Sequence, residues 1–262
     1  DQIYSATIEI SEWGSCTIAK ILTRVVSVEY DMNERQKFDL RSQYGNQVAN
    51  IDFLEATHLL NPEMRILEIG CGCGGLLSYM RHRGFNAIGV EINRDKVERG
   101  KELYGQQPIE VVNTEILPFE DASFDIVLSF DVFEHIPDSV QHLQEVARVL
   151  KPRGYYLLQT PNRITNVVFE TIRWKSFTSW RSDHCSLHDY WGLIRRFRDN
   201  DFPTLQFYDI PVVNDFFEAK VQRFMGPIGL ALLKIVNPDK LPLWLRTSFY
   251  VQAQKAGVVK NA

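Results

Sequence analysis

The chain of 262 residues is poor in cysteine, with only Cys16, Cys71, Cys73 and Cys185. Two of these lie inside a glycine-rich turn, so a disulfide framework is not expected and a reducing cytoplasm is the simplest setting. There is no basic excess either. Lys and Arg number 29 against 33 Asp and Glu, a formal charge of −4, which argues against the phosphate-neutralising surface of a nucleic-acid binder while leaving room for local basic patches. No stretch reaches the roughly 18 apolar residues of a spanning helix, and the opening DQIYSATIEI lacks a basic segment followed by an apolar run. The expectation is a soluble protein, at most peripheral to a membrane, and a monomer or homodimer.

What is present is the balance of a packed globular protein, 45% hydrophobic and 24% charged residues, long enough for one α/β domain with an insertion. Residues 1–60 read as a helical lead-in, with an apolar period around Val48, Ile51, Phe53, Leu54 and Leu59 that ends at Asn61-Pro62. Residues 61–262 read as the main domain. There Arg65–Ile69 forms a short apolar strand that runs into Gly70-Cys71-Gly72-Cys73-Gly74-Gly75 and then the helix start Leu76-Leu77. Further strands are expected at Ala87–Glu91, Ile109–Val112, Phe124–Ser129, Tyr155–Gln159, Leu205–Ile210 and Ser248–Gln254. Strands alternating with helices imply a mostly parallel sheet of the Rossmann-like kind, with ligands beyond the strands' carboxyl ends. Two segments, about 162–189 and 211–246, are expected on the acceptor side. The second is too long for an ordinary connection and reads as an insertion with its own helices.

The glycine cluster satisfies two spacings. Gly70, Gly72 and Gly75 fit a dinucleotide turn, whereas Glu68, Gly70, Gly72 and Gly74 fit another, and in both the missing Cβ atoms let a ligand approach the backbone. Five downstream pieces join it: Val90-Glu91-Ile92, Leu117-Pro118-Phe119, Phe124 to Ser129, Glu134-His135-Ile136-Pro137-Asp138, and Leu150-Lys151-Pro152-Arg153-Gly154. In that order they resemble the class I S-adenosylmethionine-dependent methyltransferases of small molecules, typified by the ubiquinone-biosynthesis enzymes, over roughly Met64 to Asn162.

The resemblance implies a seven-stranded sheet whose last strand is antiparallel, with S-adenosylmethionine as cofactor and S-adenosylhomocysteine as product. It implies that Glu68, Gly70, Cys71, Gly72 and Gly74 hold the methionine portion and that Glu91 takes the ribose hydroxyls, since a carboxylate accepts two hydrogen bonds from a vicinal diol. It also places Asn113, Thr114 and Glu115 near the adenine amino group, with Asn113 where the family usually has Asp, and Ile92 and Ile116 against the adenine faces. Ser129 and Phe130 close the fourth strand at the cofactor.

Methyl transfer mainly requires alignment of the acceptor and exclusion of water, and an acceptor of high pKa also needs a base. The candidates are His135, His184 and His188, with His135 and His184 taken as catalytic. His184 and His188 are four apart, a spacing that shares one face if the segment is helical. No further ligand near them completes a metal site, so no metal is expected. Arg163, Arg173, Lys175 and Arg181, interleaved with Phe169, Trp174, Phe177 and Trp180, suit an anionic or sugar-bearing acceptor. The apolar run from Phe224 to Leu233, with Phe216-Phe217 before it and Leu241 to Leu245 beyond, suits a lipophilic acceptor, a membrane surface, a dimer contact or ordinary packing. The acceptor is expected to be a small molecule methylated on oxygen. The rivals are a nicotinamide-dependent oxidoreductase, an aminopropyl transferase and a cofactor-binding module without catalysis.

Overall fold

The computed structural model describes residues 2–8, 22–27, 47–112, 115–176, 178 and 184–257. Its elements are β1 (Gln2–Ile8), β2 (Leu22–Ser27), α1 (Gln47–Thr57), β3 (Arg65–Ile69), α2 (Gly75–His82), β4 (Asn86–Glu91), α3 (Arg94–Tyr104), β5 (Ile109–Val111), β6 (Phe124–Phe130), α4 (Ser139–Val149), β7 (Leu150–Pro161), α5 (Arg163–Trp174), α6 (Tyr190–Arg198), β8 (Thr204–Asp209), α7 (Asp215–Ile235) and β9 (Ser248–Gln254).

β3 is buried from Ile66 to Ile69, as a near-continuous apolar run must be when helices cover both faces of a parallel sheet. It pairs in parallel with β4 on one side and β6 on the other. β4 continues to β5 and β6 to β7, also in parallel. β9 is antiparallel to both β7 and β8 and lies between them. The strands β8-β9-β7-β6-β3-β4-β5 are therefore the expected seven, with the last in sequence antiparallel.

Two more strands extend that sheet. β1 pairs antiparallel with β8, and β2 with β1, giving nine strands among the described residues. The lead-in read as helical over residues 1–60 thus holds one described helix, α1, and two strands. The segments QIYSATI and LTRVVS are rich in β-branched residues, which favour a pleated surface over a helix. β1 finds its pairing in the distant β8, and β2 in β1, which no local period reports.

Core packing fixes the frame on both faces of the sheet. α1 lays Phe53 against Tyr208, Tyr250 and Phe130, with ring centroids 5.2, 5.3 and 6.2 Å apart. On the other face, Tyr156 stacks on Phe197 of α6 at 5.9 Å. Strand order reverses at β3: β4 and β5 lie to one side, β6 and β7 to the other. The crevice beyond the carboxyl ends of β3 and β6 is the topological switch point where open α/β sheets bind ligands.

Candidate active site

The turn after β3 is pinned before it can serve a ligand. The N–H groups of Gly70 and Cys71 both donate to the Val90 carbonyl, at 2.8 and 3.1 Å, and Gly74 N–H donates to the Cys71 carbonyl at 2.8 Å. Gly70 and Gly72 have φ of +68° and +57°, the left-handed region that favours glycine. A Cβ on Gly70 would run into Val132, whereas one on Gly72 would meet nothing within 4 Å. The turn is thus packed beneath Gly70 and open above Gly72.

Two carboxylates lie behind it. Glu91, at the end of β4 and 3% exposed, accepts from Gly72 N–H through Oε2 at 2.8 Å and from Asn93 N–H through Oε1 at 2.9 Å. Each oxygen keeps a further lone pair. Glu68, in β3, is buried too, and its Oε2 has no hydrogen-bond partner among the described residues. Burial, followed by the charge of Glu91, pushes the Glu68 carboxyl up to about 8. A buried oxygen without a donor is costly, and a cationic amino group placed there relieves both the missing donor and the repulsion.

Ile92 and Ile116 are 65% and 71% exposed, large apolar side chains left facing solvent near the ends of β4 and β5. Asn113 and Thr114 lie outside the described residues, and Glu115 is exposed. Cys71 is buried, and burial raises its thiol well above the ordinary range. Ser129 turns away from the crevice: it is fully buried, and its hydroxyl shares a hydrogen bond of 2.6 Å with the Tyr156 hydroxyl, which leaves its backbone as the part nearest a ligand. Phe130 packs against Phe53 of α1.

At the carboxyl end of β6, a short 3-10 turn, Phe133–His135, carries the Glu-His pair. The later segment is tied to it, since Ser186 N–H donates to the Glu134 carbonyl at 2.9 Å. That tie brings the rings of His135 and His184 to 5.1 Å. His184 Nδ1 lies 3.2 Å from Asn166 Oδ1 of α5. Glu134 is 2% exposed and accepts from the Thr160 hydroxyl at 3.2 Å, and its Oε1 is 4.0 Å from His135 Nε2. Burial first, then Asp131, push the Glu134 carboxyl up to about 8.

His188 does not join the pair. The segment is not helical, and His188 packs on Phe133 at 5.6 Å with its Nδ1 2.9 Å from the Ser186 carbonyl. Sequence spacing left His184 without further ligand groups; the fold gathers potential ligand atoms of Glu134, His135 and His184 within 4.8 Å of one another. Thr160 and Asn166 were missed, because a lone hydroxyl or amide gives no local signal. Phe177, Trp180 and Arg181 lie outside the described residues.

Comparison with known proteins decides between the two glycine readings. A sequence model of the methyltransferase domain matches residues 40–206, more than half of the chain. The chain belongs to the S-adenosylmethionine-dependent methyltransferase family. A probable S-adenosylmethionine-dependent methyltransferase of Mycolicibacterium smegmatis is 38% identical over 100 residues, 38% of this chain and 39% of that protein. Phthiotriol/phenolphthiotriol dimycocerosates methyltransferase 1 of Mycobacterium ulcerans is 37% identical over 119 residues, 44% of each. The chloroplastic tocopherol O-methyltransferase of Arabidopsis thaliana is 24% identical over 212 residues, 75% of this chain and 60% of that one. The matches to the two bacterial relatives thus span about two fifths of their lengths. Among solved structures, a methyltransferase from Thermotoga maritima described as a possible histamine N-methyltransferase superposes with a TM-score of 0.56 at 19% identity, covering 85% of this chain and 95% of that one. One from Archaeoglobus fulgidus gives 0.55 at 16%, covering 87% and 100%. At those identities the methyltransferase structures share the fold alone. S-adenosylmethionine is the cofactor of the family.

Proposed function

We propose that this methyltransferase transfers a methyl group from S-adenosylmethionine to an oxygen atom of a small, lipophilic acceptor. The observation that carries the reading is the buried, donor-less Oε2 of Glu68 beneath a turn that is open above Gly72. Residues 61–262 form the catalytic domain in this reading, with segments 162–189 and 211–246 on the acceptor side.

When bound, the cofactor supplies an electrophilic methyl group on a sulfonium. The residues of the chain bind and align. Glu68 accepts from the amino group of the methionine portion, the turn from Gly70 to Gly74 receives its backbone-sized groups, and the spare lone pairs of Glu91 accept from the ribose hydroxyls. Ile92 and Ile116 cover the adenine faces, with Asn113, Thr114 and Glu115 at its edge.

His135 and His184 stand at the carboxyl end of β6, where the acceptor hydroxyl must reach. One imidazole accepts the hydroxyl proton as the oxygen attacks, with the buried Glu134 carboxyl 4.0 Å from His135 Nε2. The apolar residues of α5 and α7 favour a lipophilic acceptor over a sugar. The names of relatives that act on tocopherol, on 2-methyl-6-phytyl-1,4-hydroquinone and on phthiotriol dimycocerosates point the same way.

Calorimetric titration with S-adenosylmethionine, S-adenosylhomocysteine and NAD in parallel tests the cofactor half of this reading. Micromolar binding of the first two and none of the third is expected. Binding of NAD alone overturns it. A screen of phenolic lipids for methyl uptake from labelled cofactor tests the acceptor half, and methylation only on nitrogen or carbon counts against oxygen.

A further inference from the structure

Beside the acceptor side, two helices turn apolar faces to water. On α7, Ile228, Leu232 and Ile235 recur at the spacing of one helix face, with Val236 just past its end, and the four are 75%, 50%, 78% and 53% exposed. On α5, Val168 and Ile172 form a second stripe, 59% and 44% exposed. This is amphipathicity reversed: the outward face of a helix on a globular protein is normally polar, and a contiguous exposed apolar surface marks an interaction site. The non-helical Gly226 (φ +64°) and Pro227 kink α7 just before its stripe, and the ten residues from Pro227 to Val236 carry a single charged side chain, Lys234.

Charge selects what meets this face. The whole chain is at −4, yet Arg163–Lys175 and Asp215–Lys240 together hold seven Lys and Arg against four Asp and Glu. Two of those acids are occupied inside the protein, and with Glu170 goes one of the seven bases, Arg173. Glu170 is buried and holds Arg173 at 3.1 Å and Trp174 Nε1 at 2.7 Å. Asp239 accepts from the Val212 and Val213 N–H groups at 3.1 and 3.0 Å. Lys220, Arg223, Lys234 and Lys240 are all exposed. A second copy of the chain would set this basic face against itself about a two-fold axis, whereas a bilayer bearing anionic lipids offers both an apolar interior and the opposite charge.

The face also borders the site. Lys220 of α7 stands 5.1 Å from the ring of Phe169 on α5 and is near enough to Asp131, at the end of β6, for its charge to act on that carboxylate. The next turn carries His135.

We propose that the outward stripes of α5 and of the C-terminal half of α7 are an interfacial face that seats the protein on an anionic bilayer, with the acceptor side turned to the lipid. The proposal deepens the lipophilic reading, but it is measured without turnover, so the two fail separately.

The test is co-sedimentation of the full chain with vesicles of phosphatidylcholine alone and of phosphatidylcholine mixed with phosphatidylglycerol. Binding to the mixed vesicles is expected, weakening as salt is raised from about 0.05 to 0.5 M. The double variant Ile228→Glu/Ile235→Glu should lower partitioning at least about tenfold, because two apolar side chains no longer enter the interface. Lys234→Glu/Lys240→Glu should lower it only where anionic lipid is present. All four side chains are exposed, so both variants should keep the melting temperature and bind S-adenosylmethionine as before. Failure to sediment with either vesicle overturns the proposal, as does equal binding to both. A dimer in sedimentation velocity that Ile228→Glu dissociates, without vesicle binding, assigns the face to a second copy instead.

Discussion

The N–H of Gly72 donates to Oε2 of Glu91 at 2.8 Å, so the loop expected to receive the methionine portion and the carboxylate expected to receive the ribose form one unit. Glu91→Gln keeps an oxygen for that N–H and removes the charge. Gly72→Ala puts a Cβ into the open space above the turn, at a φ that costs an L-residue about 1–2 kcal/mol. Both variants should remain folded, and both should bind S-adenosylmethionine at least about tenfold more weakly by calorimetry. Wild-type affinity in both would falsify the assignment of the crevice.

Glu68 should make cofactor binding a proton-releasing event. Its carboxyl, held up to about 8 by burial and by Glu91, is mostly protonated at pH 7, and a cationic amino group beside Oε2 draws the value down. Titration at pH 7 in buffers of different ionisation enthalpy should therefore show release approaching one proton, and Glu68→Gln should abolish it. A binding heat independent of the buffer counts against this placement.

His135 and His184 should matter for turnover and not for cofactor affinity. Replacing either by Ala should lower kcat on the order of a hundredfold, with the dissociation constant of S-adenosylhomocysteine unchanged. Asn166→Ala, which removes the side chain 3.2 Å from His184 Nδ1, should fall between wild type and His184→Ala. If turnover survives both histidine variants, alignment alone drives the transfer.

A buried histidine should set the acid limit of stability. His142 in α4 has Nε2 2.9 Å from the Tyr156 hydroxyl, and burial lowers it to about 4. A histidine depressed in the folded state contributes stability that is present above about 6.5 and lost as pH falls toward 4, on the order of 3 kcal/mol. Urea unfolding between pH 7 and 4 should show that loss. His142→Phe should flatten it, and an equally steep slope in the variant would assign the loss to other groups.

Buried carboxyls act on the other side. Glu134 is raised from 4.5 to about 8, so its contribution is full below 4.5 and is lost as pH rises through 8. Glu134→Gln should remove that alkaline loss, read by the same unfolding series between pH 6 and 9. The wild-type slope persisting in the variant would place the titration elsewhere.

The sequence by itself determined the frame: apolar runs with turn residues between them, a glycine turn after β3, an acidic residue closing β4 and a Glu-His pair after β6. These features are local, because a strand's apolar run, a turn's φ and a helix's cap depend on neighbours in the chain. Only the tertiary structure decided the rest. Pairing with the distant β8 fixed Gln2–Ile8 as a strand, and Leu22–Ser27 in turn paired with it, since the ladder partner that anchors them lies far away in sequence. A backbone hydrogen bond between Ser186 and Glu134 joined His184 to His135 and left His188 on Phe133, because the segment is not helical and the four-residue spacing does not bring its two histidines to one face. Ser129, expected at the cofactor, has its hydroxyl on the Tyr156 hydroxyl in the core, beside His142 Nε2. Whether an apolar residue on α5 or α7 packs inward or faces water depends on which side of the helix meets the sheet, and composition carries no record of that choice.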